Sequence, residues 1–176
     1  MPEILDLYDA DMRPLNRTVI RGEPIPQGCY HIVVIIMTVS PRTGKILMTK
    51  RAPEKSRSGM WEITGGSKQS GETAEHAACR ELYEETGITV TEDQLIRCGT
   101  DRGAHWFFTH FAVFADEPED GIRLQPHETV DSRWVTPAEL LAEADRIDPS
   151  GRERTLYQRF YGRWLTDTEN REEQNE

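Results

Sequence analysis

Cysteine is scarce in this chain: Cys29, Cys79 and Cys98 stand far apart, with no Cys-x-x-Cys pair. An odd count at wide spacing supports neither a disulfide framework nor a zinc site, and reads as reduced thiols of a cytosolic protein. Basic charge is also in short supply. Against 31 Asp and Glu there are 21 Lys and Arg, a formal net charge of -10. An extended polynucleotide footprint needs a basic face, so none is expected. A small phosphorylated substrate remains admissible, because metal ions and a few local cations neutralise it. Long hydrophobic runs are missing. The longest, Ile32 to Val39, falls far short of the roughly 20 residues a membrane helix needs. The opening MPEILDLYDADM is acidic and has no basic segment followed by an apolar one, so no secretory signal is expected and the location reads as cytoplasmic.

What is present suits a globular protein: 36% hydrophobic and 30% charged residues in 176. That length fits one domain, taken as residues 1–165, with 1–29 as its N-terminal extension and 166–176 as a polar, fraying tail. Ile4 to Tyr8 reads as a short strand, and Asp9 to Asn16, with Pro14 inside it, as a turn. His31 to Ser40 is apolar on both faces, the mark of a buried central strand. Further strands are expected at 45–50, 94–100, 106–115 and 131–135. Helices are expected from Thr73 to Thr86, from Pro137 to Ala144 and from Arg152 to Leu165. The buried face of the first helix reads as Ala74, Ala77, Ala78 and Leu82. This alternation is that of an α/β layered domain.

The most informative stretch is Gly65 to Ile88. It sets Gly66, Glu72, Arg80, Glu81, Glu84, Glu85 and Gly87 in the order Gly-x5-Glu-x7-Arg-Glu-Leu-x-Glu-Glu-x-Gly-Ile. Residues three and four apart share a helix face, so Glu81 lies beside Glu84 and Glu85. Such crowding is repulsive unless a divalent cation offsets it. Mg²⁺ prefers hard oxygen ligands and keeps room for waters and phosphates.

That spacing resembles the Nudix box, complete from Gly66 to Ile88, and the chain is identified as a member of the Nudix hydrolase superfamily. The resemblance implies an α/β/α sandwich around a mixed sheet, with the box as loop, helix and loop. It implies a Mg²⁺-dependent hydrolase of diphosphate linkages, with Mn²⁺ as a substitute. The substrate expected is a nucleoside diphosphate linked to another group, and a homodimer is common in the family. By resemblance, Glu81, Glu84, Glu85 and the carbonyl of Gly65 are the metal ligands, and Arg80 aims a carboxylate with its planar fork. Glu72 pairs with Arg80 or caps the helix. The general base is Glu84 or, from the later segment QPHETVDSRWV, Glu128.

Lys50, Arg51, Lys55 and Arg57 form a local basic patch that would meet the diphosphate, Arg51 foremost. Trp106, with His105 and Phe108, is a candidate for stacking on a base or prenyl group. The segment from Ile4 through Val34 resembles the branch containing isopentenyl-diphosphate isomerases, which makes an isomerase one alternative. Those enzymes carry a cysteine where Gly65 stands and a histidine near Ser67; this chain has neither. A nucleotide-binding regulatory module is the other alternative.

Overall fold

The computed structural model describes residues 2–166, so the expectation of a fraying tail lies outside the described residues, apart from Thr166, which ends a helix. Nine strands and three helices follow in chain order: β1 Ile4–Tyr8, β2 Pro14–Ile20, β3 His31–Val39, β4 Ile46–Arg51, β5 Trp61–Glu62, β6 Thr64–Ser67, α1 Ala74–Thr86, β7 Ile96–Arg102, β8 Trp106–Phe114, β9 Thr129–Val135, α2 Pro137–Ile147 and α3 Arg152–Thr166.

Strands β3 to β9 form one seven-stranded sheet, and β1 and β2 a separate hairpin. The sheet is mixed. β3 runs parallel to β8 along its whole length, while its contacts with β4 and β6 are antiparallel. Every second residue of a strand faces the same side, and β3 shows the consequence. Ile32, Val34 and Ile36 pack with Ala77, Ala78 and Leu82 of α1. Met37 and Val39 pack with Leu140 and Ala144 of α2 and with Tyr157 and Tyr161 of α3. A strand apolar on both faces therefore serves two cores, and the architecture is the α/β/α sandwich the sequence implied.

One departure from regular pairing positions the functional region. β3 and β4 pair through Val39 and Ile46 alone and then part. Beyond that fork β3 takes β6 as its neighbour, and β4 takes β5 and β9. The fork opens a gap flanked by Arg51, Glu62 and Gly65.

Two expectations are corrected. Asp9–Asn16 is a turn only as far as Arg13, because strand β2 starts at Pro14. The proline ring sits at the strand's first residue, where no ladder hydrogen bond is lost. Asn16 has φ 52, a left-handed value that asparagine tolerates inside this irregular pair. Also, Gly65 and Gly66 belong to a strand rather than a loop, paired opposite Ile35 and Val34.

Candidate active site

Helix α1 carries the densest chemistry, and its ends are well defined. Thr73 Oγ1 accepts from the amide of His76 at 3.0 Å, an N-cap that satisfies an otherwise orphaned donor. At the other end Gly87 takes φ 76, and its amide donates to the Tyr83 carbonyl. Besides Ala77, Ala78 and Leu82, the helix buries Glu81 and Glu85, whereas Ala74 is only partly covered. Two carboxylates on a buried face are costly unless charge is supplied nearby.

Arg80 supplies part of it. Its guanidinium grips Glu72 through two bonds, Nε to Oε1 at 2.7 Å and Nη2 to Oε2 at 3.0 Å. Nη1 donates to Glu81 at 2.9 Å and Glu84 at 3.1 Å, and Nη2 also reaches the Ser67 carbonyl. One planar fork thus ties three box glutamates to the strand before the helix. Burial pushes the Glu72 carboxyl up, but Arg80 and the Gln69 amide outweigh it, so its pKa falls below the ordinary value. For Glu81 burial prevails over Arg80, and the pKa rises to about 7.

Glu85 is the outlier. It is buried, and among the described residues its carboxylate has neither a hydrogen bond nor an ion pair. Burial first, then the fields of Glu81, Glu62 and Glu128, raise its pKa well above the ordinary value. Beside it the backbone comes very close. A Cβ on Gly66 would stand 2.2 Å from the Glu81 carboxyl carbon, and one on Gly65 2.6 Å from the Val34 carbonyl. At Gly65 the obstacle is backbone, so only glycine fits; at Gly66 a side chain would displace the Glu81 carboxylate.

Glu81, Glu84 and Glu85 line a polar cleft with Gly65, Gly66 and Glu128. With Arg80 drawing Glu81 and Glu84 aside, no three acidic, histidine or cysteine side chains of the described residues gather round one point. The donor set nevertheless fits a hard divalent cation. It consists of carboxylates, one of them buried without a partner, beside two glycines whose backbone lines the same cleft. A positive charge there would return Glu81 and Glu85 to their ionised forms.

Arg51 and Lys55 reach the same cleft. The Arg51 guanidinium holds Glu62 at 2.5 Å and the Ser56 carbonyl at 2.7 Å. Lys55 Nζ holds the Glu128 carboxylate, and the Ala52 amide donates to the Glu128 carbonyl at 2.9 Å. Two loops far apart in sequence are thereby closed against each other.

Lys50 and Trp106, read from the sequence as substrate contacts, stand elsewhere. Lys50 adjoins Arg51 on β4, so strand alternation sends it to the opposite face, with Nζ 5.7 Å from the Trp61 ring centroid. Trp106 opens β8 and packs edge-on against Phe108 and His31, outside the cleft.

A second hollow of about 220 Å³ lies on the far side of the fork, toward α3, and shares Arg51 and Gly65 with the cleft. Its walls include Val33, Ile35, Phe108 and Tyr157, so it is mainly apolar. His110 also lines it. Its Nδ1 lies 3.1 Å from the Tyr161 hydroxyl, its ring stacks on Phe160 at 4.1 Å, and its buried Nε2 has no partner. Burial holds its pKa down at about 4, so the ring is neutral at pH 7. His110 and Tyr157 left no signal in the sequence, because a histidine in an apolar strand looks like core and Tyr157 stands beside the Leu156, Phe160, Trp164 stripe rather than in it. Arg21, which also lines the cleft, left no local signal either.

Comparison with known proteins agrees with this architecture. The model of the NUDIX domain matches residues 30–158, and the chain belongs to that family. It is thus a Nudix hydrolase, an enzyme of the class that acts on phosphoric anhydride bonds, and such hydrolases generally use divalent metals. Over 139 residues it is 30% identical to an uncharacterized Nudix hydrolase of Listeria monocytogenes, covering 78% of this chain and 82% of that one. Over 110 residues it is 30% identical to the CTP pyrophosphohydrolase of Escherichia coli, covering 62% of this chain and 80% of that one. A crystal structure from Deinococcus radiodurans superposes with a TM-score of 0.71 at 25% identity, covering 90% of this chain and 99% of that one.

Proposed function

We propose that this chain hydrolyses the diphosphate linkage of a nucleoside diphosphate joined to a second group, with Mg²⁺, or Mn²⁺ in its place. The observation that carries this reading is the meeting of an anionic cleft and a mainly apolar hollow at Arg51 and Gly65. A diphosphate in the cleft leaves its organic group the neighbouring hollow. The CTP pyrophosphohydrolase among the relatives supports a nucleotide in that role.

Glu81, Glu84, Glu85 and the Gly65 carbonyl would hold the metal. A divalent ion bound there supplies charge neutralisation at phosphate oxygens and an acidified water. The protein does the rest. Arg80 fixes the direction of Glu81 and Glu84 through its two-sided grip. Arg51 and Lys55 face the phosphate oxygens, and release of Lys55 from Glu128 would free that carboxylate. Glu84 accepts the proton of the attacking water, with Glu128 the alternative acceptor. Water adds to one phosphorus, the bridging oxygen leaves with the other, and two phosphate monoesters result, or one with inorganic phosphate.

Neither an isomerase nor a regulatory module accounts for the site as well. The isomerase chemistry has no cysteine at Gly65 to use. A pure binding module has no need of a complete set of box carboxylates in one cleft. The chain is taken as one domain over 1–165, cytoplasmic, acting on a small phosphorylated molecule, and pairing as a homodimer through its N-terminal segment. A monomeric mass by light scattering would refute that pairing. No helix of the described residues is long and apolar enough to cross a membrane.

The test is a Mg²⁺-dependent hydrolysis screen over nucleoside triphosphates, ADP-ribose, nucleotide sugars, dinucleotides, coenzyme A and isopentenyl diphosphate, with Glu85→Gln as control. Turnover of a nucleoside diphosphate derivative that the variant loses is expected. A folded protein silent across the whole panel refutes the reading.

A further inference from the structure

We propose that Arg21 binds the substrate's diphosphate, and that the hairpin β1–β2, which lies outside the family match, serves to present it. This rests on the reading of the cleft as a diphosphate site.

Arg21 is the first residue after β2. Its amide donates to the Glu3 carbonyl at 2.9 Å, and Gly22, with φ 97, turns the chain away. The side chain thereby enters the cleft that Gly66, Glu81, Glu84 and Glu85 line. Its guanidinium lies within the electrostatic reach of Glu81 and Glu128 as well as Glu3.

The hairpin does not merely lean on the sheet. Asp6 accepts from Lys68 Nζ at 2.9 Å, Ser70 Oγ at 2.7 Å and the Gly71 amide at 3.1 Å. The Ser70 amide donates to the Ile4 carbonyl at 2.7 Å. Residues 68–71 belong to the five-residue box segment between Gly66 and Glu72, so the loop that shapes the carboxylate cluster also places Arg21. Tyr8 and Tyr30 exchange backbone bonds at 2.8 and 2.9 Å, and Leu5 and Leu7 are buried. That is a rigid mount for one exposed-edge cation.

Among the three cations of the cleft, Arg21 is the least committed. Arg51 is held by Glu62 and a carbonyl, and Lys55 by Glu128. Arg21 makes one side-chain bond, Nη1 to Glu3 Oε2 at 2.6 Å, in a pair whose side chains are 42% and 35% exposed. An ion pair that open to water is weak and readily exchanged. Nε and Nη2 of Arg21 have no acceptor among the described residues. A planar fork with free donors at the rim of a metal-binding cleft matches the non-bridging oxygens of a diphosphate. Glu3 then acts as a stand-in anion that keeps the fork aimed until substrate arrives.

The alternative is that Arg21 and Glu3 only clip the hairpin shut, and calorimetric titration with inorganic pyrophosphate in Mg²⁺ separates the two. Arg21→Ala is expected to weaken pyrophosphate binding and raise KM by about tenfold or more, with a smaller change in kcat. Arg21→Lys should recover part of the loss. Glu3→Gln, which takes the charge out of the same clip, should bind pyrophosphate at least as tightly as the wild type. Wild-type binding by Arg21→Ala would overturn the proposal, as would an equal loss in Glu3→Gln. If turnover disappears in Glu85→Gln yet is untouched in Arg21→Ala, only the Arg21 assignment falls. A wild-type protein that hydrolyses no diphosphate removes the reading beneath it.

Discussion

The cleft and the hollow meet at two residues and are built by opposite means. The cleft draws three of its carboxylates, Glu81, Glu84 and Glu85, from one helix, and Arg80 holds the first two through bonds of 3.1 Å or less. The hollow draws its walls from β3, β4, β5, β6, β8 and α3, and among its polar atoms His110 Nε2 is left without a partner. Local repetition can concentrate charge, since a helix brings residues three and four apart together at no cost in chain closure. An apolar hollow for an organic group has to be assembled across the fold. The cleft therefore suits the reaction and the hollow the choice of substrate.

That division can be broken, beginning with the largest effect. Glu85→Gln should lower turnover at least about a hundredfold while the melting temperature holds or rises, because a buried carboxylate without a partner is removed. Near wild-type rates would put the metal centre elsewhere.

His110 belongs to the hollow and should show in stability rather than in chemistry. Its pKa is about 4 in the folded protein against 6.5 for an unperturbed ring. Between those values the unfolded chain binds the proton and the folded one does not. This contribution is therefore complete above pH 6.5, falls as pH drops toward 4, and is flat below. Denaturation from pH 7 to 4 should show wild type losing about 3 kcal/mol more than His110→Phe. Using the difference matters, because Glu81 and Glu85, with raised pKa values, push the other way in the metal-free protein. Parallel curves would mean that His110 is solvated or already paired.

Phe108→Ala should raise KM for a nucleotide substrate by about tenfold and leave the Mg²⁺ dependence unchanged, since one aromatic wall is lost on the apolar side. A shifted metal dependence would show that the two hollows are not independent. Smallest of all, Lys50→Ala should leave kcat/KM within about twofold, because its charge lies on the far face. A large loss would return Lys50 to the site.

How much of this was legible in the sequence follows from range. The α1 helix, its Thr73 cap and its Gly87 terminus were legible because each depends on neighbours within four residues. So was the two-faced strand β3, whose apolar run has no polar side to expose. Strand β6 was not, because its two glycines carry no β-propensity. They pair with β3 only because β3 and β4 part after Val39. Lys50 and Arg51 were adjacent basic residues of equal standing until the strand sent them to opposite faces. Glu85 was legible as a box glutamate, but not as the one left without a partner.

The sequence by itself pointed to the reaction class, through the resemblance that the spacing of Gly66, Glu72, Arg80, Glu81, Glu84 and Glu85 carries; the part from Arg80 to Glu85 also expresses helix geometry, which needs nothing from the rest of the chain. It also determined an α/β layered domain with a buried central strand, through the periods of its apolar residues, while the sandwich came from the resemblance. The tertiary structure alone decided that Arg21 faces the cleft and His110 the hollow, and that Arg51 joins them. Those positions depend on how strands distant in sequence fork and pair, and no local pattern encodes the contacts between them.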